Sequence, residues 1–300
     1  MYDLISVGNI SIDLYFKGTT FTKNKERFQL AIGGKYYSDF FHEDIGGGGC
    51  NVAIGVAKQG LKTAVFARIG NNPFKEIILN KLRLKNVSNE FCQFEDNYYI
   101  ISSILLTDSG ERTIISYDTP GHLVKKFFLH DELKKAKNIY ISSLSNVSLE
   151  EKNKIISYLK GNQTLTFVNL SIVDCRRETK VLSEIFNSLD VLIVNSHEFC
   201  ELIKKPYEMT NFKNMTVDLP YLKDRIVVVT DAKKGSYGYF KNQIFYQPAI
   251  VPEKIVDTTG CGDGYTAGFI AQYLKSKDIE KAMKQGAEYA AEIIGKIGAN

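Results

Sequence analysis

The 300-residue chain has no tryptophan, no Cys-x-x-Cys pair and no apolar run approaching the length of a membrane span. Without such a run there is no transmembrane helix to expect, and an N-terminus that enters a strand directly carries no signal peptide. Five cysteines, at 50, 92, 175, 200 and 261, are odd in number and scattered. That pattern argues against a disulfide framework and leaves a structural zinc site unsupported, so the expectation is reduced thiols in a cytoplasmic protein. Excess charge of one sign is scarce too: 38 Lys and Arg face 34 Asp and Glu, a net +4. So mild a balance argues against a nucleic-acid partner, and the densest basic run, Lys23 to Arg27, has no interleaved aromatics. The P-loop pattern Gly-x-x-x-x-Gly-Lys-[Ser/Thr] is missing, and only Gly8 stands where a dinucleotide-binding Gly-x-Gly-x-x-Gly would follow the first strand.

What is present is an apolar content of 44%, enough for the core of one large α/β domain. Leu4–Val7, Thr63–Ile69, Asn138–Ser142, Leu165–Asn169, Val191–Val194 and Ile226–Val229 read as buried strands, with paired strands in 236–247. Helical patterns fall at 74–84, from Ser148, after Glu178, at 198–203, 263–274 and 278–294. Ser148-Leu-Glu-Glu151 reads as a capping box. Alternation of this kind predicts a mostly parallel sheet with helices on both faces. Residues 12–45 and the hairpin Tyr98–Asp118, turning at Asp108–Glu111, predict short two-sided strands that form a small sheet over the site.

Two glycine clusters carry the chemistry. Asp257-Thr-Thr-Gly-Cys-Gly-Asp263 precedes an apolar, small-residue helix. A helix start offers unpaired N–H groups and partial positive charge, and Gly260, Gly262 and Gly264 leave room for an anion to approach. Asp263 in such a place makes sense as a base taking a proton from a hydroxyl while the N–H groups hold a phosphoryl group. A glycine-rich turn with Asp263 as a helix cap is the plainer alternative. The second cluster, Gly46-Gly47-Gly48-Gly49-Cys50-Asn51, opens another helix, where Asn51 offers both donor and acceptor to a polyol. Its plainer alternative is a flexible loop and a helix capped by Asn51.

Together these clusters resemble the ribokinase-like sugar kinases, the phosphofructokinase B family, nearly end to end. The late motif matches Asp-Thr-x-Gly-Ala-Gly-Asp except for Cys261. Gly46, Gly47, Asn51 and Ala53 match Gly-Gly-x-x-x-Asn-x-Ala, and Gly8 to Asp13 resembles Gly-x-x-x-x-Asp. Asn195-Ser-His-Glu198 resembles Asn-x-x-Glu, and Val228–Ser236 is similar to the nucleotide-binding strand and turn. The resemblance implies one ribokinase-like α/β kinase domain over 1–300, with covering segments at about 12–45 and 97–119 inserted in it. It implies Asp263 as base, with Gly260, Cys261 and Gly262 in the anion hole. Asn9, Asp13, Gly46, Gly47 and Asn51 would bind a small sugar. Asn195, Thr230, Gly235, Thr258, Gly260 and Gly262 would bind ATP, with Glu198 and Asn195 holding Mg²⁺ through water. A monovalent cation and a homodimer through the covering sheet stay open.

A furanose sugar is the expected acceptor. A ribonucleoside is the alternative, since both present a ring with a primary hydroxyl. A non-catalytic sugar or nucleotide sensor on the same fold is a third reading, against which the presence of both Asp263 and Glu198 weighs. The chain departs from the family at Asn72 and Lys75, where Asp and Gly are usual, at Asn169–Asp174, and at Ala232 in place of a common glycine. Cys50 and Cys261 both sit at helix starts, where the dipole is expected to lower a thiol's pKa; two small core-like residues without a redox role are the plainer alternative.

Overall fold

The computed structural model describes residues 1–18, 21–24, 27–107, 111–119, 135–144, 147–160, 164–214, 222 and 224–300. The β-branched apolar runs become the parallel core of a nine-stranded sheet. Its neighbours run Ile226–Thr230, Val191–Asn195, Leu165–Val168, Asn138–Ile141, Leu4–Val7, Thr63–Phe66 and Val87–Ser88, all parallel. The antiparallel strands Ser236–Phe240 and Gln243–Gln247 extend the other edge.

Because strand side chains alternate between faces, each face of this sheet collects its own core. Ile5, Val7, Val227 and Val229 meet the helices Leu149–Lys160, Thr179–Ser188 and Ser196–Ile203. Leu4, Ile226 and Val228 meet Gly48–Lys58, Cys261–Ser276 and Ile279–Ile294 on the opposite face. At the first helix of the former set the Oγ of Ser148 accepts from the Glu151 N–H, half of the expected capping box.

A separate four-stranded sheet orders Arg112–Asp118, Ile100–Leu106, Ser11–Lys17 and Phe40–Gly46. The expected hairpin pairs antiparallel from Ile100↔Asp118 to Leu106↔Arg112, while residues 108–110 of its turn lie outside the described residues. Ser11–Lys17 and Phe40–Gly46 pair so that Asp13 stands opposite Asp44.

One expected strand is two. Thr63–Phe66 stays in the large sheet, whereas Arg68–Gly70 pairs with Gln93–Glu95. The break falls at Ala67, whose carbonyl accepts from the Gln93 N–H and leads the chain out of the large sheet. Both pieces are buried, so the apolar run reads continuously across the break. No helix among the described residues is long and apolar enough to cross a membrane.

The helices Gly48–Lys58 and Cys261–Ser276 touch at Gly55, where an added Cβ would lie 2.5 Å from the Ala267 Cβ. Backbone approach this close needs a glycine, and it fixes the spacing of everything one turn toward the N-termini. The first strand is pressed onto the same helix: a Cβ on Gly8 would come within 2.7 Å of the Gly49 Cα. Gly55→Ala therefore overfills a joint with no flexible partner to yield. We expect a loss of about 1–3 kcal/mol, read as a shift in the urea midpoint without a change in slope.

Candidate active site

The carboxyl ends of the parallel strands all face one edge of the large sheet. Gly8, Ser142, Asn169, Asn195 and Thr230 sit there at the ends of successive strands. Each parallel strand hands its chain to a loop or helix at this edge, so helix N-termini gather where ligands bind in open α/β sheets.

Two helix N-termini are led by glycine. The helices beginning at Ile172 and Ser196 are capped by the side chains of Ser171 and Asn195. The helices beginning at Gly48 and Cys261, like those at Lys75 and Thr179, have no side-chain cap, but only these two of the four are led by a glycine, Gly47 and Gly260. Gly47 and Gly260 hold φ of 94° and 72°, conformations that suit glycine. An added Cβ on Gly262 would meet nothing within 4 Å. The side-chain side of Gly262, at the first turn of the late helix, is therefore open.

Asp263 is not the cap of its own helix. Its Oδ2 accepts a 2.7 Å hydrogen bond from Asn51 Nδ2 of the other glycine-led helix, and its Oδ1 lies 3.6 Å from where a Gly48 Cβ would stand. Asn51 is likewise inside its helix rather than capping it. Burial pushes the Asp263 carboxyl above its ordinary range, and the Asn51 bond pulls it partly back. Asp263 as a whole residue is half-buried.

Asp13 approaches from the second sheet. Its Oδ1 accepts from Ser11 Oγ at 2.7 Å, and a side chain on Gly46 would overlap its carboxylate. Burial raises its pKa to about 6 against two serine hydrogen bonds. Asn9 contributes backbone, its carbonyl accepting from the Cys50 N–H at 3.3 Å. Arg112, on the edge strand of that sheet, donates to the Thr258 hydroxyl beside the late helix. This long-range pairing had no local sequence signal.

Asn195 and Glu198 form a reciprocal cap: Asn195 N–H to Glu198 Oε2 at 2.8 Å and Glu198 N–H to Asn195 Oδ1 at 2.9 Å. Thr230 stands opposite Asn195 in the adjacent strand. The Gly235 glycine is demanded by the fold, since φ is 93° and a side chain would strike the Gln247 carbonyl. Ala232 adopts φ 45°, a left-handed conformation that explains why glycine is common there. Where the family motif departs at Asn169–Asp174, Asp174 instead takes a buried 2.6 Å ion pair from Lys152.

Among the described residues no group of three or more His, Cys, Asp or Glu is gathered as a metal cluster. One Glu198 oxygen is engaged by the Asn195 N–H, and the hard oxygen donors of this pair are of the kind that suits hydrated Mg²⁺. The thiol expectation is corrected. Cys50 is fully buried and Cys261 half-buried, and desolvation raises both pKa values, outweighing any pull from the helix starts.

Two glycine-led helix mouths at the carboxyl edge of a parallel sheet, beneath a small second sheet, define the ribokinase-like class of fold. The chain belongs to the pfkB family of carbohydrate kinases, whose profile matches residues 1–300. It is an ATP-dependent carbohydrate or nucleoside kinase. It is 25% identical over 303 residues to the nucleoside kinase of Methanocaldococcus jannaschii, covering 99% of this chain and 92% of that protein. With the 5-dehydro-2-deoxygluconokinase of Geobacillus thermodenitrificans it shares 25% identity over 85% of this chain and 79% of the other. The structure of Arabidopsis thaliana ribokinase complexed with ribose and ATP superposes with a TM-score of 0.79 at 20% identity, covering 99% of this chain and 94% of that one.

Glu198 supplies a stability test. Burial raises its pKa from the ordinary 4.5 to about 7. A carboxyl raised by folding favours the folded state when protonated, so its contribution is full below pH 4.5 and lost as pH rises through about 7. Glu198→Gln keeps the cap geometry without the charge. In Mg²⁺-free buffer its Tm should rise relative to wild type between pH 5 and 8; a difference independent of pH would contradict the buried-charge account.

Proposed function

We propose that the protein transfers the γ-phosphoryl group of ATP to the primary hydroxyl of a small furanose sugar. The observation that carries this reading is a single carboxylate, Asp263, set between two uncapped, glycine-led helix N-termini. In phosphoryl transfer the protein mainly positions reactants and neutralises charge. The helix start around Gly262, where no side chain intervenes, receives the phosphoryl oxygens, and the Arg112 cation at Thr258 adds charge beside it. Asp13 and Asn51 bind ring hydroxyls and aim the primary alcohol at Asp263. The new O–P bond forms as the β–γ P–O bond breaks, and Asp263 accepts the alcohol's proton in that step.

Asn195, Thr230, Gly235 and Thr258 belong to the nucleotide side of the cleft in this reading. Mg²⁺, when bound, would neutralise the ATP phosphates, with Asn195 and Glu198 holding its water shell. The second sheet, built from segments within 12–45 and 97–119 of one kinase domain, acts as a lid that brings Asp13 and Arg112 over the cleft. Its exposed Ile115 and Tyr117 are the surface through which a homodimer would form. A ribonucleoside presents the same ring and primary alcohol, and that second reading draws on the match to a nucleoside kinase over 99% of this chain.

Asp263→Asn keeps the shape and removes the base, so kcat should fall about 10²–10⁴-fold with ATP binding largely retained. Steady-state kinetics with calorimetric titration of nucleotide measure both, and an unchanged kcat removes Asp263 from this role. ADP release across ribose, fructose, a deoxy-sugar acid and ribonucleosides then identifies the acceptor. Release with none of them would sink the furanose reading.

A further inference from the structure

Beyond the final long helix, Ile279–Ile294, the chain returns to the cleft. The Gly298 N–H donates to Asp257 Oδ2 at 3.1 Å, and Ala299, 4% exposed, lies against Gly260. These two anchors place the next residue, Asn300, beside the early helix. Its Nδ2 donates to the Ile45 carbonyl at 2.7 Å and to Asn51 Oδ1 at 3.1 Å. Asn51 Nδ2 in turn donates to Asp263 Oδ2 at 2.7 Å.

The direction of this chain is set by chemistry at both ends. A backbone carbonyl only accepts, so the Asn300 amide must turn its NH₂ toward Ile45. The same NH₂ reaches Asn51, which must therefore present its oxygen. A carboxylate also only accepts, so the remaining Asn51 NH₂ faces Asp263. Each group admits one orientation once its neighbours are given.

We propose that Asn300 is a positioning residue for phosphoryl transfer, locking the Asn51 amide so that its N–H points at Asp263. The proposal rests on the reading of Asp263 as the base. Without Asn300, Asn51 loses the donor that holds its oxygen away, and its amide is free to turn. An Asn51 oxygen against Asp263 would be tolerated only by a protonated carboxyl, which cannot accept the alcohol's proton. Burial already favours that protonated form, and the Asn51 bond opposes it.

The consequence is a pH signature. Around Asp263 the other titratable or charged groups are Cys261 on its own helix, Tyr140 from the central strand, and Arg112 from the second sheet at Thr258. Cys261 and Tyr140 are both raised above their ordinary values, so neither ionises on the acid side. The Asp13, Glu198, Asp44 and Asp257 carboxylates stand near this chain of amides, yet their hydrogen bonds go to Ser11, Asn195, Ile45, Thr259 and Gly298 and not to the side chains of Asn51 or Asn300. A displacement of the acid limb on substituting Asn300 therefore reports Asp263.

The test is the pH profile of kcat at saturating substrates for wild type, Asn300→Ala, Asn300→Leu and Asn300→Ser. Folding is checked by circular dichroism, and the leucine variant, similar in volume, serves if the alanine variant does not fold. Alanine or leucine should move the acid limb up by about one pH unit, so that kcat falls about tenfold below the wild-type limb and recovers at high pH. Serine retains a donor and should restore the limb toward wild type. A limb left in place, whether kcat is unchanged or lowered equally at every pH, overturns the proposal. Asp263→Asn separates the two readings: if it is inactive while the Asn300 limb stays put, only the role of Asn300 fails; if it is fully active, the base itself is lost.

Discussion

The contact between Gly55 and Ala267 is the constraint on which the rest of the cleft depends. Each residue lies four positions, one helical turn, after a functional one: Asn51 before Gly55, and Asp263 before Ala267. Pressing the helices together at that joint brings the amide and the carboxylate into hydrogen-bond distance at the next turn. The large sheet supplies the platform below both helices, through Val52, Val56, Phe269 and Ile270 packed on Leu4 and Phe167. The core thus sets a chemical distance. The pair is also joined farther along, where Lys275 Nζ donates to the Gln59 carbonyl at 2.6 Å.

Polar groups at this edge are held against their solvation preference. Asp13, Glu198 and Asp263 all have pKa values raised by burial, each relieved in part by short hydrogen bonds from serine or asparagine. A fold selected for stability alone would place such carboxylates in water or beside cations. Asp174, also buried, shows the contrast, being met by Lys152 directly. Unneutralised buried acids gathered at one cleft mark where interaction energy has been left for a ligand to supply.

How much was legible in the sequence follows from range. The parallel sheet and its helices were readable because β-branched runs and 3.6-residue periodicity are local. The two helix starts that bring Asn51 and Asp263 together were readable because glycines before a helix are a local signal. The break at Ala67 was hidden because one continuous apolar run served two sheets. The cysteine expectation weighed a helix dipole, visible in sequence, without desolvation, which depends on the whole core around Cys50. Arg112 with Thr258 and Asn300 with Asn51 join residues separated by 146 and 249 positions, a distance no pattern in the chain spans.

Two parallel helices standing side by side bring like poles together. Both Gly48–Lys58 and Cys261–Ser276 present the positive ends of their peptide dipoles to the same small volume, with no capping side chain to mute them. Their mutual repulsion is offset in part by the Asp263 carboxylate between them. An anionic ligand seated there would meet both helix ends at once, so its binding also stabilises the fold that receives it.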